Sequence, residues 1–196
     1  MTDAYRKAKT PEQTRRALLD AAAEQALAQG IAALTLPGVA EAAGVTKGAL
    51  FHHFGSKQGL IDALCNALIV EIDTRLDAVL ADDPGGFGCF TRAYVFCTFQ
   101  QPATTEEQSA PPASRSPWSS LSLSALTDPG LAQIWSNWFQ ARLARHAETD
   151  ADPGLELVRL ATDGYWLTCL QGHPPSDPDA LFQRLIAATH PSSSHP

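Results

Sequence analysis

Lysine is missing from most of this chain. All of its lysines lie in the first 57 of 196 residues, and residues 58–196 carry seven Arg, no Lys and sixteen Asp/Glu. No apolar run approaches the roughly 20 residues that a membrane-spanning helix needs, so no membrane partner is expected. The amino end, MTDAYRKAKTPEQTRR, is polar and leads straight into a helical pattern, which argues against a secretory signal and for a cytoplasmic location. Cysteine is sparse, and Cys65, Cys89, Cys97 and Cys169 show neither C-x-x-C spacing nor a nearby His. They read as small buried hydrophobes in a reducing compartment, with no metal site and no cofactor expected. Cys89 and Cys97 lie about two turns apart on one expected helix and are candidates for a redox-sensing thiol. The chain also lacks H-E-x-x-H, G-x-S-x-G, a phosphate-cradling Gly loop and paired carboxylates beside a His. No enzyme is expected.

What is present is a lopsided charge. The net charge of −7 hides a balance of +2 over residues 1–57, where seven Lys/Arg face five Asp/Glu, and −9 over the remainder. A phosphate-facing module on an acidic body that DNA would repel fits this split.

The apolar spacing is helical throughout. Residues 11–29 repeat Leu18, Leu19, Ala22, Ala23 and Ala26 three and four apart, with Pro11 at the entry and Gly30 at the stop. Ser56 caps a long helix from Lys57 to about Leu80, which Asp82-Asp83-Pro84-Gly85-Gly86 ends. Phe87–Gln101 forms a second amphipathic segment, and residues 102–117 are a proline-rich loop. Helical patterns follow over Trp118–Leu126, over Leu131–Glu148 after Asp128-Pro129, after Asp152-Pro153, and from Asp177-Pro178 to about Ala188. No segment alternates as a strand does. The fold class is all-α, about nine helices, divided into a three-helix helix-turn-helix domain (1–56), a helical bundle (57–190) and a disordered tail (191–196).

Thr35–Lys57, TLPGVAEAAGVTKGALFHHFGSK, carries the functional signal. It predicts two short helices joined at Gly44, a position where the chain must reverse and positive φ is favoured. Val39, Ala40, Ala43, Val45 and Leu50 fall where a helix-turn-helix needs apolar or small side chains. Thr46 and Lys47 open the second helix, whose N-terminus favours an anion. Gly48 and Ala49 carry little side chain, so that helix can lie deep in a major groove. His52 and His53 stand at its end, each able to donate to a backbone phosphate. Leu50 and Phe54 are assigned to the core, and Arg6, Lys7 and Lys9 to an arm that reaches DNA or to an uninvolved tail.

These residues, dense from about Thr14 to Leu64, resemble the DNA-binding domain of the tetracycline-repressor (TetR) family of bacterial regulators. The resemblance implies a homodimer whose two modules read successive major grooves of a palindromic double-stranded operator. It adds phosphate contacts from Thr35 and Lys57, and puts Phe51 where the family commonly has a phosphate-gripping Tyr, whose hydroxyl Phe lacks. It implies an effector cavity in the bundle, with Tyr94, Trp118, Trp138 and Tyr165 as lining candidates and Asp163 or Gln171 as polar partners. It also implies that the last two helices pair across a two-fold axis, with Leu160, Gly164, Leu167, Thr168, Leu181 and Leu185 at that interface. The function it implies is a ligand-responsive repressor that releases its operator on binding a small apolar or aromatic effector. Control by a partner protein or by cysteine oxidation is the alternative within DNA binding, and a helical enzyme or carrier is the alternative outside it.

Overall fold

The computed structural model describes residues 10–99 and 128–191, which hold nine α-helices and no strand. The candidates Arg6, Lys7, Lys9 and Trp118, the 102–117 loop, the 118–126 helix and the tail past Pro191 lie outside the described residues.

The first three helices form a small head. α1 (Pro11–Gln29) is followed by a 3-10 turn (Ile31–Ala33), α2 (Leu36–Ala42) and α3 (Lys47–Phe54). Along α1, Leu18, Ala22 and Ala26 recur every fourth residue and are fully enclosed, the stripe that a core-facing helix needs. Leu34, Val39, Ala40 and Leu50 close over it. Each enclosed Leu or Val contributes about 1.5–3 kcal/mol. Between α2 and α3, Gly44 takes φ 65, as the sequence predicts, and the Val45 N–H reaches back to Ala40 O at 2.9 Å. Open space surrounds the place a Cβ would occupy, so backbone conformation, not crowding, demands glycine there.

α4 (Lys57–Asp82) joins head to body as one continuous helix of 26 residues, about 39 Å long. Its first half, Leu60, Ile61, Leu64, Cys65, Leu68 and Ile69, completes the head's core. Its second half packs on α5 (Cys89–Phe99) and α6 (Pro129–Arg145). A short α7 (Ala147–Asp150) leads to α8 (Pro153–Leu170) and α9 (Pro178–Ala188), and both of these also pack on α5. Leu131 of α6 is buried in the head's cluster, with Ile134, Trp135 and Trp138 against its edge. Two helices of the body therefore touch the head's core directly.

Two helix ends depart from expectation. α5 begins at Cys89 and leaves Phe87 outside, because Gly88 takes φ 73 and donates its N–H to Thr149 O at 2.8 Å. The helix expected to run to Glu148 stops at Arg145. His146 leaves helical geometry (φ −111, ψ 21), and its carbonyl accepts the N–H groups of Thr149 and Asp150 instead.

The body's apolar clusters are small. Leu76, Phe90, Ala93 and Tyr94 form one, and Val95, Val158 and Leu185 another. Buried charge ties them together. The Arg92 guanidinium donates to both oxygens of Asp83 at 2.7 Å and to Thr189 O at 3.0 Å. Arg142 donates to Asp73 and Asp77, both at 2.7 Å, joining α6 to α4.

Candidate nucleic-acid interface

α3 is positioned by its apolar side and leaves its start in solvent. Leu50 is fully buried and Phe54 half-buried, whereas Thr46, Lys47, Gly48, Phe51 and His52 are exposed. Thr46 is the N-cap, its Oγ1 accepting the Ala49 N–H at 3.1 Å. A hydroxyl that accepts this bond keeps its own proton for an outside acceptor. The N–H groups of the first turn have no intrahelical carbonyl and carry the positive end of the helix dipole. The Lys47 ammonium lies 5.7 Å from the centroid of the Phe51 ring, itself 42% exposed. His52 and His53 meet edge to face at 5.6 Å, with His53 half-buried and touching Phe54. Ala49 is half-buried.

Thr35 caps α2 in the same way, accepting the Gly38 N–H at 3.2 Å. Lys57 is exposed, but its Nζ donates to Ala32 O at 2.9 Å and ties the start of α4 to the turn before α2. This ammonium therefore also braces the head. The sequence reading missed Arg15, whose guanidinium carbon sits 5.5 Å from the Phe54 centroid. A cation three and four residues before Leu18 and Leu19 on α1 gives no sequence signal of that contact.

The candidate effector residues do not all converge. The buried Tyr94 hydroxyl donates to the Asp163 carboxylate, which reaches inward although Asp163 as a residue is exposed. Desolvation holds the Asp163 carboxyl above its ordinary value and the Tyr94 hydroxyl well above its own. Phe139 packs edge to face on Tyr94 at 5.6 Å. Tyr165 stacks instead on Phe99 at 3.8 Å, and burial pushes its hydroxyl up to about 12. The Trp138 indole N–H is committed to Asp73 on α4, and Gln171 is exposed at the C-cap of α8. Tyr94 and Asp163 thus meet directly, Trp138 packs its ring against the cluster that holds Tyr94 while its N–H goes to Asp73, and Gln171 lies apart.

The residues expected to pair across a two-fold axis differ in exposure. Leu160 is 59% and Leu167 36% exposed, with Gly164 exposed between them, while Thr168 is half-buried. Leu157, one turn earlier and 68% exposed, extends this exposed stripe at helical spacing from Leu160 and Gly164. Leu185 is buried against Val95 and Val158, and Leu181 packs on the same cluster. Those two belong to the protomer's own core, because α9 turns its apolar side toward α5.

The thiols also differ from expectation. Cys89 does have a His partner, since the fold brings His146 Nδ1 to 3.8 Å from its Sγ across 57 residues of chain. Cys97 is half-buried, and burial pushes its thiol up.

Comparison with known proteins accounts for both parts of the chain. The family described as "Bacterial regulatory proteins, tetR family" matches residues 18–64, and "Tetracyclin repressor-like, C-terminal domain" matches residues 88–190. The HTH-type transcriptional regulator TtgR of Pseudomonas putida is 44% identical over 57 residues, 29% of this chain and 27% of that protein. The HTH-type transcriptional repressor KstR2 of Rhodococcus jostii is 33% identical over 67 residues, 34% of this chain and 33% of that protein. The chain thus spans about a quarter to a third of these curated relatives. The crystal structure of the multidrug binding protein EbrR complexed with malachite green superposes with a TM-score of 0.68 at 20% identity, over 90% of this chain and 98% of that one. That likeness is one of fold. With helix-turn-helix head and helical body both matched, the chain belongs to the TetR family of bacterial regulatory proteins.

Proposed function

We propose that this chain acts as a homodimeric repressor that releases a palindromic operator when a small apolar or aromatic effector enters the body. The observation that carries the reading is the exposed start of α3, where Thr46, Lys47 and Gly48 present a hydroxyl, an ammonium and the positive end of a helix on a rigid apolar base. Thr46 and the first-turn amides suit a phosphate, Lys47 a phosphate or guanine, and Gly48 and Ala49 a close approach to a thymine methyl. Phe51 and His52 flank the groove, while Thr35, His53 and Lys57 line the approach to the backbone. The exposed Leu157, Leu160, Gly164 and Leu167 of α8 support pairing with a second copy, whose symmetry matches a palindrome.

Effector control is supported by the layout of the body. Tyr94 and Asp163 offer a polar anchor beside Phe90 and Phe139. α4 and α6 run from that region into the head's core, so spreading α5 from α4 tilts the head and changes the spacing of the two α3 helices. The multidrug binding protein EbrR, of the same fold and complexed with malachite green, supports the choice of a small-molecule effector.

Fluorescence anisotropy with the palindromes upstream of the chain's own gene tests the reading. The parent should bind with an affinity that falls steeply with salt. Lys47→Ala should weaken binding and lower the salt slope by about 1. Equal affinity of Lys47→Ala and parent would remove Lys47 from the interface. Leu157→Asp with Leu160→Asp should give monomers by sedimentation and lose operator binding. A thermal-shift screen of aromatic compounds should raise Tm, and a uniformly flat screen favours a partner protein as the signal.

A further inference from the structure

Cys89, His146 and Asp150 come together at the junction of α5, α6 and α7, apart from the α3 surface and from the exposed stripe of α8. One ligand atom from each lies within 4.8 Å of the others. Cys89 Sγ is 3.8 Å from His146 Nδ1 and 3.8 Å from Asp150 Oδ2, and its thiol reaches Thr149 Oγ1 at 3.5 Å. With zinc–sulfur and zinc–nitrogen bonds of about 2.3 and 2.1 Å, a tetrahedral site separates those two donors by about 3.6 Å. The donors already stand close to that spacing.

Each ligand is held by something other than the cluster. Gly88 fixes the backbone before Cys89: its N–H donates to Thr149 O, and a Cβ there would come within 2.3 Å of Thr189 O. The His146 ring stacks on Phe90 with centroids 5.2 Å apart. Asp150 accepts the Phe90 and Thr91 N–H groups at 3.2 and 2.8 Å, plus the Thr91 hydroxyl at 2.6 Å. Arg159 braces the far side, donating to Thr91 Oγ1 and Asp150 O. Cys89 and Asp150 are buried, and the half-buried His146 leaves the way in.

Asp150 Oδ2 already accepts from Phe90 N and, at 2.8 Å, from the Thr149 hydroxyl. That hydroxyl also lies 3.2 Å from His146 O. Turning its proton to the carbonyl frees a lone pair on Oδ2 without disturbing the bonds that cap α5. One thiolate and one carboxylate then neutralise a divalent cation, which removes the cost of burying either charge alone.

We propose that Cys89, His146 and Asp150 form a binding site for a thiophilic divalent cation, Zn²⁺ in the first instance, with water as fourth ligand. The metal–sulfur bond forms as the Cys89 proton passes to solvent, and no electron is transferred. A thiolate–imidazole–carboxylate set favours zinc over magnesium or calcium, which take oxygen ligands. Such an ion would join the first residue of α5 to the end of α6. The site goes beyond the effector reading, and its test does not require DNA binding.

Cobalt titration of the reduced full-length protein checks it. One equivalent of Co²⁺ per protomer should produce a near-ultraviolet thiolate-to-cobalt band and the visible bands of four-coordinate cobalt, all bleached by Zn²⁺. Cys89→Ser should abolish the ultraviolet band, and His146→Ala should weaken binding by about ten-fold or more. Cys97→Ser and Cys169→Ser should bind as the parent does. Zn²⁺ should raise the Tm of the parent and of those two controls, but not of Cys89→Ser, with each variant's fold checked by circular dichroism. Absence of the band in the parent, its survival in Cys89→Ser, or undiminished affinity in His146→Ala would overturn the site and leave Asp150 as a helix cap alone.

Discussion

The head and the body begin their helices with different chemistry. The three helices of the head, and α4 that leaves it, are N-capped by hydroxyls: Thr10, Thr35, Thr46 and Ser56. In the body, α6, α8 and α9 are capped by Asp128, Asp152 and Asp177, each followed by Pro, and α5 is capped through space by Asp150. A carboxylate satisfies the same amides and also cancels the positive end of the helix dipole. A hydroxyl satisfies the amide but leaves that potential outside. The head thus keeps its helix starts electropositive, and the body spends them on internal stability.

The two halves also differ in what encloses them. The head is closed by one contiguous apolar cluster, and its ion pair Arg16–Asp20 is exposed. The body's clusters are smaller and are joined by buried pairs such as Arg92–Asp83, with side chains only 10% and 8% exposed.

The largest effect should come from undoing that buried pair. Arg92→Met strands the Asp83 carboxylate and should cost about 3–5 kcal/mol in urea unfolding at fixed protein concentration. A loss under about 1 kcal/mol, the range of a surface pair, would erase the contrast between the halves. Asp83→Asn should cost about 1.5–3 kcal/mol at neutral pH. The Arg92 hydrogen bonds hold the Asp83 pKa below its ordinary 3.8. A depressed pKa contributes stability above 3.8 and loses it as pH falls through the lower folded value. The gap between parent and Asp83→Asn should therefore close in acid below pH 3.8, and not in the neutral range.

Thr46 separates capping from recognition. Thr46→Asp keeps the cap, so stability should stay within about 0.5 kcal/mol, yet operator affinity should fall by about 1–3 kcal/mol as carboxylate meets phosphate. Thr46→Ala should lose about 1 kcal/mol of stability. Unchanged operator binding by Thr46→Asp would mean that the hydroxyl caps matter only for folding.

Much of this was legible along the chain because it rests on local rules. Pro11, Thr46 and Ser56 announce helix starts, the last two through a bond to the amide three residues on, and Gly44 announces its turn through φ. Leu18, Ala22 and Ala26 announce a buried face through spacing alone. The departures arise where distant segments meet. Leu185 reads like an interface residue but faces Val95 and Val158, because α9 rolls its apolar side onto α5. Trp138 packs against the Tyr94 cluster as an apolar ring should, but the Asp73 that takes its N–H comes from another helix and has no signal along the chain. Cys89 has no His within reach in sequence, and the loop through α6 returns one to it.

Helix type, the starts of α1, α3 and α4, and the charge split follow from residues within a few positions of one another, where one turn's hydrogen bonds and side-chain spacing decide the outcome. Which face of α8 stays uncovered, and which side chains gather around Asp150, depend on segments far apart in the chain: 57 residues separate Cys89 from His146, and 60 separate Phe90 from Asp150. Such contacts are set by how whole helices roll and dock, a choice made by the summed packing of every element and marked at no single position.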